Sequence, residues 1–290
     1  MHNPNNWKTY ELIDFGEGRK LERYGDIIVD RPEPSALGKK SDVSNWINAQ
    51  FRFNEEKGQK GTWDSAISPF DINYQLHEQN FRFHLKQTAF KHLGIFPEQA
   101  INWEFIADHC TRFRKSNIEP KVLNLFAYTG AASLVASRFG ASVTHVDSSK
   151  TIVNWARDNA VLNDISTIRW IVEDARKFVE RCIKRDEKYH GVILDPPIFG
   201  MVPKGKNWKL NSDLKPLLEN ILKILMPENH FLILNTYSPQ LPLHKLKADL
   251  NSIPSFTGNY EATTLGLKSL TGKELELGNL IRISQLQNNY

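Results

Sequence analysis

The chain has 290 residues, 40% apolar and 24% charged, which gives room for one large domain with a smaller companion and a real core. No stretch approaches the ~18 apolar residues of a membrane helix, and the first seven residues, Met1-His2-Asn3-Pro4-Asn5-Asn6-Trp7, lack the basic-then-apolar pattern of a signal peptide. Two cysteines, Cys110 and Cys182, are too few for a disulfide framework or a Cys-rich metal site, so a reducing cytoplasm and no metal are expected.

The net charge of +4 is small, but it is unevenly spread. Residues 1–100 hold 13 Lys/Arg against 14 Asp/Glu, whereas residues 176–215 hold 10 against 5. A local excess of that kind attracts phosphate, though a solvated helix and loop would show it too.

Residues 1–80 read as a small β-rich domain or arm. Short runs such as Tyr10-Glu11-Leu12-Ile13-Asp14-Phe15 and Asp26-Ile27-Ile28-Val29-Asp30 have strand character and are separated by Gly16-Glu17-Gly18 and Arg31-Pro32-Glu33-Pro34 turns. From about residue 117 the pattern changes. Apolar runs at 121–126, 142–146, 168–172, 191–194 and 230–235 alternate with amphipathic segments at 131–139, 150–163, 175–185 and 213–225. That alternation predicts βαβ units and a parallel sheet covered on both faces, an α/β doubly wound architecture. A helix near 243–250 and strands near 260–267 and 277–283 complete the expected sheet.

In such a sheet ligands bind outside the carboxyl ends of the strands. After the first predicted strand comes Phe126-Ala127-Tyr128-Thr129-Gly130-Ala131-Ala132. Its glycine permits a close approach to the main chain, and the helix that follows offers its N-terminus to a carboxylate. Asp147 ends the second strand, where an acid suits the two hydroxyls of a ribose; a helix cap is the other reading. Asp174 follows the third, as an acceptor for an adenine amino group or as the next helix cap. A dinucleotide site needs three glycines to admit a pyrophosphate. The single Gly130, with bulky Phe126 and Tyr128 nearby, argues instead for an adenosine cofactor without one, of which S-adenosylmethionine (SAM) is the common case.

After the fourth strand stands Asp195-Pro196-Pro197-Ile198-Phe199-Gly200. The prolines fix the backbone so that the Pro196 carbonyl can accept from a substrate amine, Asp195 adds a carboxylate, and Phe199 offers a flat face to a base. Lys204-Gly205-Lys206-Asn207-Trp208-Lys209 follows directly, and Thr111-Arg112-Phe113-Arg114-Lys115 is a second basic cluster with an aromatic. Lys204 and Lys206 are expected to hold phosphates, with Trp208 and Tyr237 stacking on an unpaired base. Packing of Trp208 on the core is the alternative.

Together, Asn124-Leu125-Phe126-Ala127-Tyr128-Thr129-Gly130, Asp147, Asp174 and Asp195-Pro196-Pro197 resemble the class I SAM-dependent methyltransferases. More narrowly they resemble the bacterial family that includes the 23S ribosomal RNA large-subunit methyltransferases. Phe90-Lys91-His92-Leu93-Gly94-Ile95-Phe96-Pro97-Glu98-Gln99 is similar to that group's cofactor segment ahead of the sheet. The resemblance implies a methyltransferase domain over 81–290 and a SAM pocket of Phe96, Gln99, Asn124, Phe126, Tyr128, Gly130, Asp147, Asp174 and Asp195. It also implies a reacting set of Asp195, Pro196, Pro197 and Phe199. Members that methylate carbon 5 of a cytosine use a cysteine nucleophile after the fifth strand. Here that place reads Asn235-Thr236-Tyr237-Ser238-Pro239, so direct transfer to a nitrogen of an RNA base is expected. A protein or small-molecule acceptor, or a binding module without chemistry, are the alternatives.

Overall fold

A computed structural model describes residues 1–290 except 5–6, 57–59, 202–205, 255, 257–258 and 287–290. The chain forms two compact units, Met1–Ile101 with Leu265–Leu277 and Asn102–Thr264 with Gly278–Tyr290.

In the first unit the strands are β1 (Tyr10–Gly16), β2 (Arg19–Tyr24), β3 (Ile27–Pro32), β4 (Phe51–Glu55) and β5 (Gly61–Trp63), adjacent in that order in one sheet. All pairs are antiparallel except β3 with β4. A single helical turn, α1 (Val43–Trp46), is capped by Asp42, whose carboxylate accepts the Ser44 amide. A separate hairpin joins β6 (Phe70–Leu76) to β7 (Gln79–Leu85). Its strict alternation sends Ile72, Tyr74, Leu76, Phe81, Phe83 and Leu85 inward and the intervening polar residues outward.

This unit also buries a charged cluster. The Arg31 guanidinium donates to Glu22 Oε2 at 2.6 Å, and the Tyr10 and Tyr24 hydroxyls donate to Glu22 Oε1 at 2.9 and 3.1 Å. Burial alone would raise the Glu22 carboxyl, but Arg31 and Lys20 outweigh it and hold it down at about 2.

The second unit contains most of the long helix α2 (Ala100–Lys115), then β8 (Lys121–Leu125), α3 (Ala131–Arg138), β9 (Ser142–Asp147), α4 (Lys150–Leu162), β10 (Arg169–Val172), α5 (Ala175–Lys184) and β11 (Gly191–Leu194). A two-stranded ribbon, β12 (Phe199–Gly200) with β13 (Trp208–Lys209), leads into α6 (Leu210–Ile224). Then come β14 (His230–Thr236), α7 (Leu243–Asn251) and two strands that belong to it in part, the start of β15 (Glu261–Lys268) and the end of β16 (Glu274–Gln285). The sheet runs β10-β9-β8-β11-β14-β16-β15. Its first five strands are parallel, and β16 is antiparallel to β14. The chain winds outward from β8 through β9 to β10, then from β11 to β14 on the other side. The crevice where a ligand belongs therefore opens at the carboxyl ends of β8 and β11.

The expected doubly wound α/β sheet is present, each predicted strand lying within one or two residues except the last, which begins three residues earlier, at Glu274. The helix expected at 213–225 begins three residues earlier because Asp213 accepts the Lys209 amide at 2.9 Å and organises the first turn. One face of the sheet packs α5 and α6 through Phe178, Val179, Leu214, Leu217 and Ile221 onto Leu123, Val192 and Leu232. At ~25 cal/mol per Å² of apolar surface removed from water, this core is the main source of the unit's stability. Among the described residues no helix is long and apolar enough to cross a membrane, and no cluster of His, Cys, Asp and Glu has metal-site geometry.

Candidate active site

The turn after β8 is backbone held in an unusual shape. Phe126, Tyr128 and Gly130 have φ of 54°, 49° and 91°, three left-handed residues within five. For the two non-glycine residues this costs on the order of 1–3 kcal/mol each, a strain that persists only where neighbours impose it. The neighbours are identifiable. Ala127 N–H donates to the Val146 carbonyl at 3.2 Å, Tyr128 N–H to Asp147 Oδ2 at 3.1 Å, and the buried Asn159 amide donates to the Thr129 carbonyl at 2.9 Å. A Cβ on Gly130 would lie 3.1 Å from Ala156 Cβ, so α4 packs directly beneath the turn.

Asn124 lies under the same turn. Its side-chain amide donates to Ser133 Oγ at 2.9 Å, and Ser133 is 3.0 Å from His145 Nδ1. Asn124, Ser133 and His145 thus form one buried polar chain beneath the turn. Burial and then Arg157 pull the His145 pKa down to about 3, which keeps the imidazole neutral.

Asp147 closes β9. Ser149, not Asp147, caps α4, accepting from Ile152 N–H at 3.4 Å. The Asp147 oxygens accept the Tyr128 and Ser149 amides at 3.1 and 2.9 Å, with the Ser148 amide also directed at them, and an ionised carboxylate has capacity for about four bonds. Burial raises its pKa despite these donors, so hydroxyl donors from a ligand would favour its ionised form. Asp174 does cap α5, accepting Arg176 N–H at 2.8 Å, and its two oxygens also receive the Arg176 side chain at 3.0 and 2.6 Å. Burial pushes the Asp174 carboxyl up, and the Arg176 bonds bring it below its ordinary value.

Phe126, Asp147, Ser148, Glu173, Asp174, Pro197, Met201 and Trp208 line one open cleft. Leu125 and Leu194 are paired in register, which puts the cofactor turn and the Asp195 loop at neighbouring strand ends. Asp195 is half-buried and Pro196 buried, while Pro197, Ile198 and Phe199 are exposed, Phe199 by 53%. Among the described residues the Pro196 carbonyl receives no hydrogen bond; the Pro197 carbonyl accepts Trp208 Nε1–H at 2.7 Å.

Trp208, expected on the substrate face, is instead 2% exposed, tilted against Phe126 at 4.9 Å between ring centres. It is a wall of the cleft. Lys206, expected to hold phosphate, is engaged by Asp213 at 3.1 Å. Lys204 lies outside the described residues. Tyr237 is half-buried and follows β14 against Gly278, where a Cβ would come within 2.8 Å of its ring. Phe96 and Gln99 sit on a short 3-10 turn, Pro97–Gln99, in the first unit, where Gln99 N–H donates to the Phe96 carbonyl at 3.0 Å. The second basic cluster ends α2, and the Arg114 stem passes beside Gly140, just ahead of β9. It is therefore at the edge where strands begin, opposite the cleft. Sequence reasoning did not single out Ser133, His145, Asn159, Arg176 or Asp213. The signal available was polar residues recurring on otherwise apolar faces.

A parallel sheet with a strained turn, an acid at the next strand end and an Asp-Pro-Pro loop beside it defines an enzyme that uses a nucleoside-bearing cofactor. The chain belongs to the S-adenosylmethionine-dependent methyltransferase family, whose profile matches residues 45–240, and its cofactor is SAM. Ribosomal RNA large subunit methyltransferase K/L of Shewanella frigidimarina is 29% identical over 236 residues, 80% of this chain and 30% of that protein. The protein of the same name from Pseudoalteromonas translucida is 33% identical over 251 residues, 79% of this chain and 34% of that one. The chain thus spans about a third of the length of these relatives. A crystal structure of a SAM-dependent methyltransferase from Agrobacterium tumefaciens superposes with a TM-score of 0.88 at 34% identity, covering 97% of this chain and 92% of that one. A methyltransferase solved with S-adenosylhomocysteine, 20% identical, shares the fold at a TM-score of 0.67 over 91% of this chain and 71% of that one.

Proposed function

We propose that this methyltransferase transfers a methyl group to a nitrogen of an RNA base, with ribosomal RNA as its substrate. The carrying observation is the Asp195-Pro196-Pro197 loop, which ends in exposed Ile198 and Phe199 at the rim of the cleft. The names of the K/L relatives support RNA as the acceptor. The state of the thiols supports nitrogen. Cys110 and Cys182 are 0% and 1% exposed, and burial raises both, Cys110 to about 12, so neither offers a thiolate to a pyrimidine carbon.

SAM supplies a methyl already activated on its sulfonium, so the protein's task is alignment. In this reading Asp147 receives the ribose hydroxyls, Asp174 the adenine amine, and the turn at Phe126, Tyr128 and Gly130, ahead of α3, receives the methionine carboxylate at a helix N-terminus. Asn124, fixed by Ser133, contributes beneath it. The Asp195 carboxylate and the Pro196 carbonyl accept from the target amine and turn its lone pair toward the methyl group. Phe199 stacks on the base, with Tyr237 as a second face, and Lys204 carries a phosphate contact.

The test is transfer of labelled methyl from SAM into fractionated RNA and protein from cells lacking this chain. Label in an RNA fraction, recovered as an N-methylated nucleoside, is expected. Label confined to protein or to small molecules overturns the RNA assignment, and a C-methylated nucleoside overturns the nitrogen.

A further inference from the structure

Two carboxylates and a backbone carbonyl meet at one guanidinium beside the cleft. Arg176 Nε and Nη2 hold the two oxygens of Asp174 at 3.0 and 2.6 Å. Nη1 donates to Asp213 Oδ2 at 3.0 Å, and Nη2 reaches the Lys206 carbonyl at 2.5 Å. The guanidinium carbon also lies 5.8 Å from the centre of the Trp208 ring. Asp213 in turn takes Lys206 Nζ at 3.1 Å and the Lys209 amide at 2.9 Å. Burial raises the Asp213 carboxyl, and the Lys209 amide with Lys206 brings it below its ordinary value.

We propose that Arg176 is a positioning residue for the cofactor, clamping the Asp174 wall of the cleft to the Lys206–Lys209 end of the reacting loop. Asp174 comes from the end of β10; Trp208 comes from the loop between β11 and α6, and both line the cleft. Arg176 touches the two sides at once. Two carboxylates and two cations make the set electrically neutral, which limits the cost of partly burying it. The planar fork is what the site needs. It meets Asp174 with two parallel bonds and still has N–H groups for Asp213 and the Lys206 carbonyl, whereas a lysine ammonium is one point charge. Asp174 is thereby oriented before a ligand arrives, and the loop is held against the cleft. Both lower the ordering cost of binding.

This inference rests on the cleft being the SAM site, and the two are separable. Arg176→Lys, Arg176→Gln, Asp213→Asn and the double variant R176Q/D213N are compared for SAM and S-adenosylhomocysteine affinity. Tryptic cleavage after Lys206 and Lys209 is followed in protein without ligand, with melting temperature as the folding control. R176Q and R176K are expected to weaken both ligands by about tenfold or more and to speed cleavage severalfold, with global melting nearly unchanged. D213N is expected to speed cleavage as much as R176Q, and the double variant no further, because the two residues act through one clamp. An R176K protein that binds SAM within about twofold of the parent, with unchanged cleavage, overturns the proposal, as do additive effects in the double variant. Asp147→Ala tests the cleft itself: full SAM affinity in D147A overturns that reading, whereas loss in D147A with retention in R176K overturns the clamp alone.

Discussion

The Asp147 carboxylate accepts the backbone N–H of Tyr128 at 3.1 Å, so the end of β9 holds the strained turn that follows β8. One side chain thus has two duties: it fixes the turn and remains an acceptor for hydroxyls. Asp147→Ala removes both and is expected to weaken SAM binding by ten- to a hundredfold, about 1.4 kcal/mol per factor of ten. Asp147→Asn keeps an acceptor oxygen and should fall between that variant and the parent. Isothermal titration with SAM measures both; equal affinities for parent and D147A would remove Asp147 from the site.

Gly130 is held at φ 91° with the Ala156 methyl 3.1 Å from where its own Cβ would be. Gly130→Ala is expected to destabilise the second unit by about 1–2 kcal/mol from backbone strain alone. The packing clash adds to this, and SAM affinity falls as the turn shifts. Gly18, at φ 73° with open space around its missing Cβ, is the control. Gly18→Ala should carry a comparable backbone cost without moving SAM affinity.

The parallel sheet was legible because its strands are buried on both faces and read as apolar runs, Gly191-Val192-Ile193-Leu194 being buried throughout. Acids at strand ends were legible for the same reason, since they interrupt those runs. The α2 helix was harder to read. Its inward face carries Trp103, Ile106, Cys110 and Phe113 but also buries Asn102, which accepts from Arg282 and donates to Asn235, so the apolar stripe is broken. Trp208 illustrates a different limit. A tryptophan beside three lysines has the composition of a nucleic-acid contact, and only the Pro197 carbonyl that its indole N–H meets reveals that it faces inward. Partners far apart in sequence, as with Arg176 and Asp213, leave no local pattern at all.

In the first unit the Glu22–Arg31 pair is fully enclosed, with Tyr10, Tyr24 and the Lys91 carbonyl completing its bonds. Removing Arg31 leaves the buried Glu22 with Lys20 as its remaining cation, so Arg31→Met is expected to cost about 3 kcal/mol or more, and R31M/E22L should recover part of that loss. Denaturant unfolding reads it; a loss below ~1 kcal/mol in R31M would show that water reaches the site.

Acid lability draws on Glu22 and on buried histidines, His145 and His92 among them, whose pKa is lowered to about 3 chiefly by burial. Glu22 titrates at about 2 in the fold against ~4.3 when unfolded, so its contribution is present above the unfolded value and is lost as pH falls toward 2. His145 is held neutral, with its pKa at about 3 against ~6.5 unfolded. The unfolded chain binds that proton first, and this contribution starts to fade below pH ~6.5. Melting temperature is therefore expected to fall from pH 6.5 downward, with a further decline below pH ~4. His145→Asn should flatten the first part of the decline; an unchanged slope would place its origin in another group.

The rim of the cleft separates cofactor binding from substrate recognition. Phe199 is 53% exposed and is absent from the residues that line the cleft, so it has a free face and no wall to support. Stacking of a base on an aromatic ring contributes about 1–3 kcal/mol. Phe199→Ala is therefore expected to lower kcat/KM for RNA by roughly five- to a hundredfold. SAM affinity should stay within about twofold, and Phe199→Tyr should restore most of the activity. The sealed cysteines give the complementary result. Cys110→Ser and Cys182→Ser should reduce stability modestly, since each places a hydroxyl in a core position, while turnover of the folded enzyme is unaffected. Loss of transfer in C182S at full SAM affinity and normal melting would instead demand a thiol in the chemistry. The nitrogen acceptor would then give way to a carbon one.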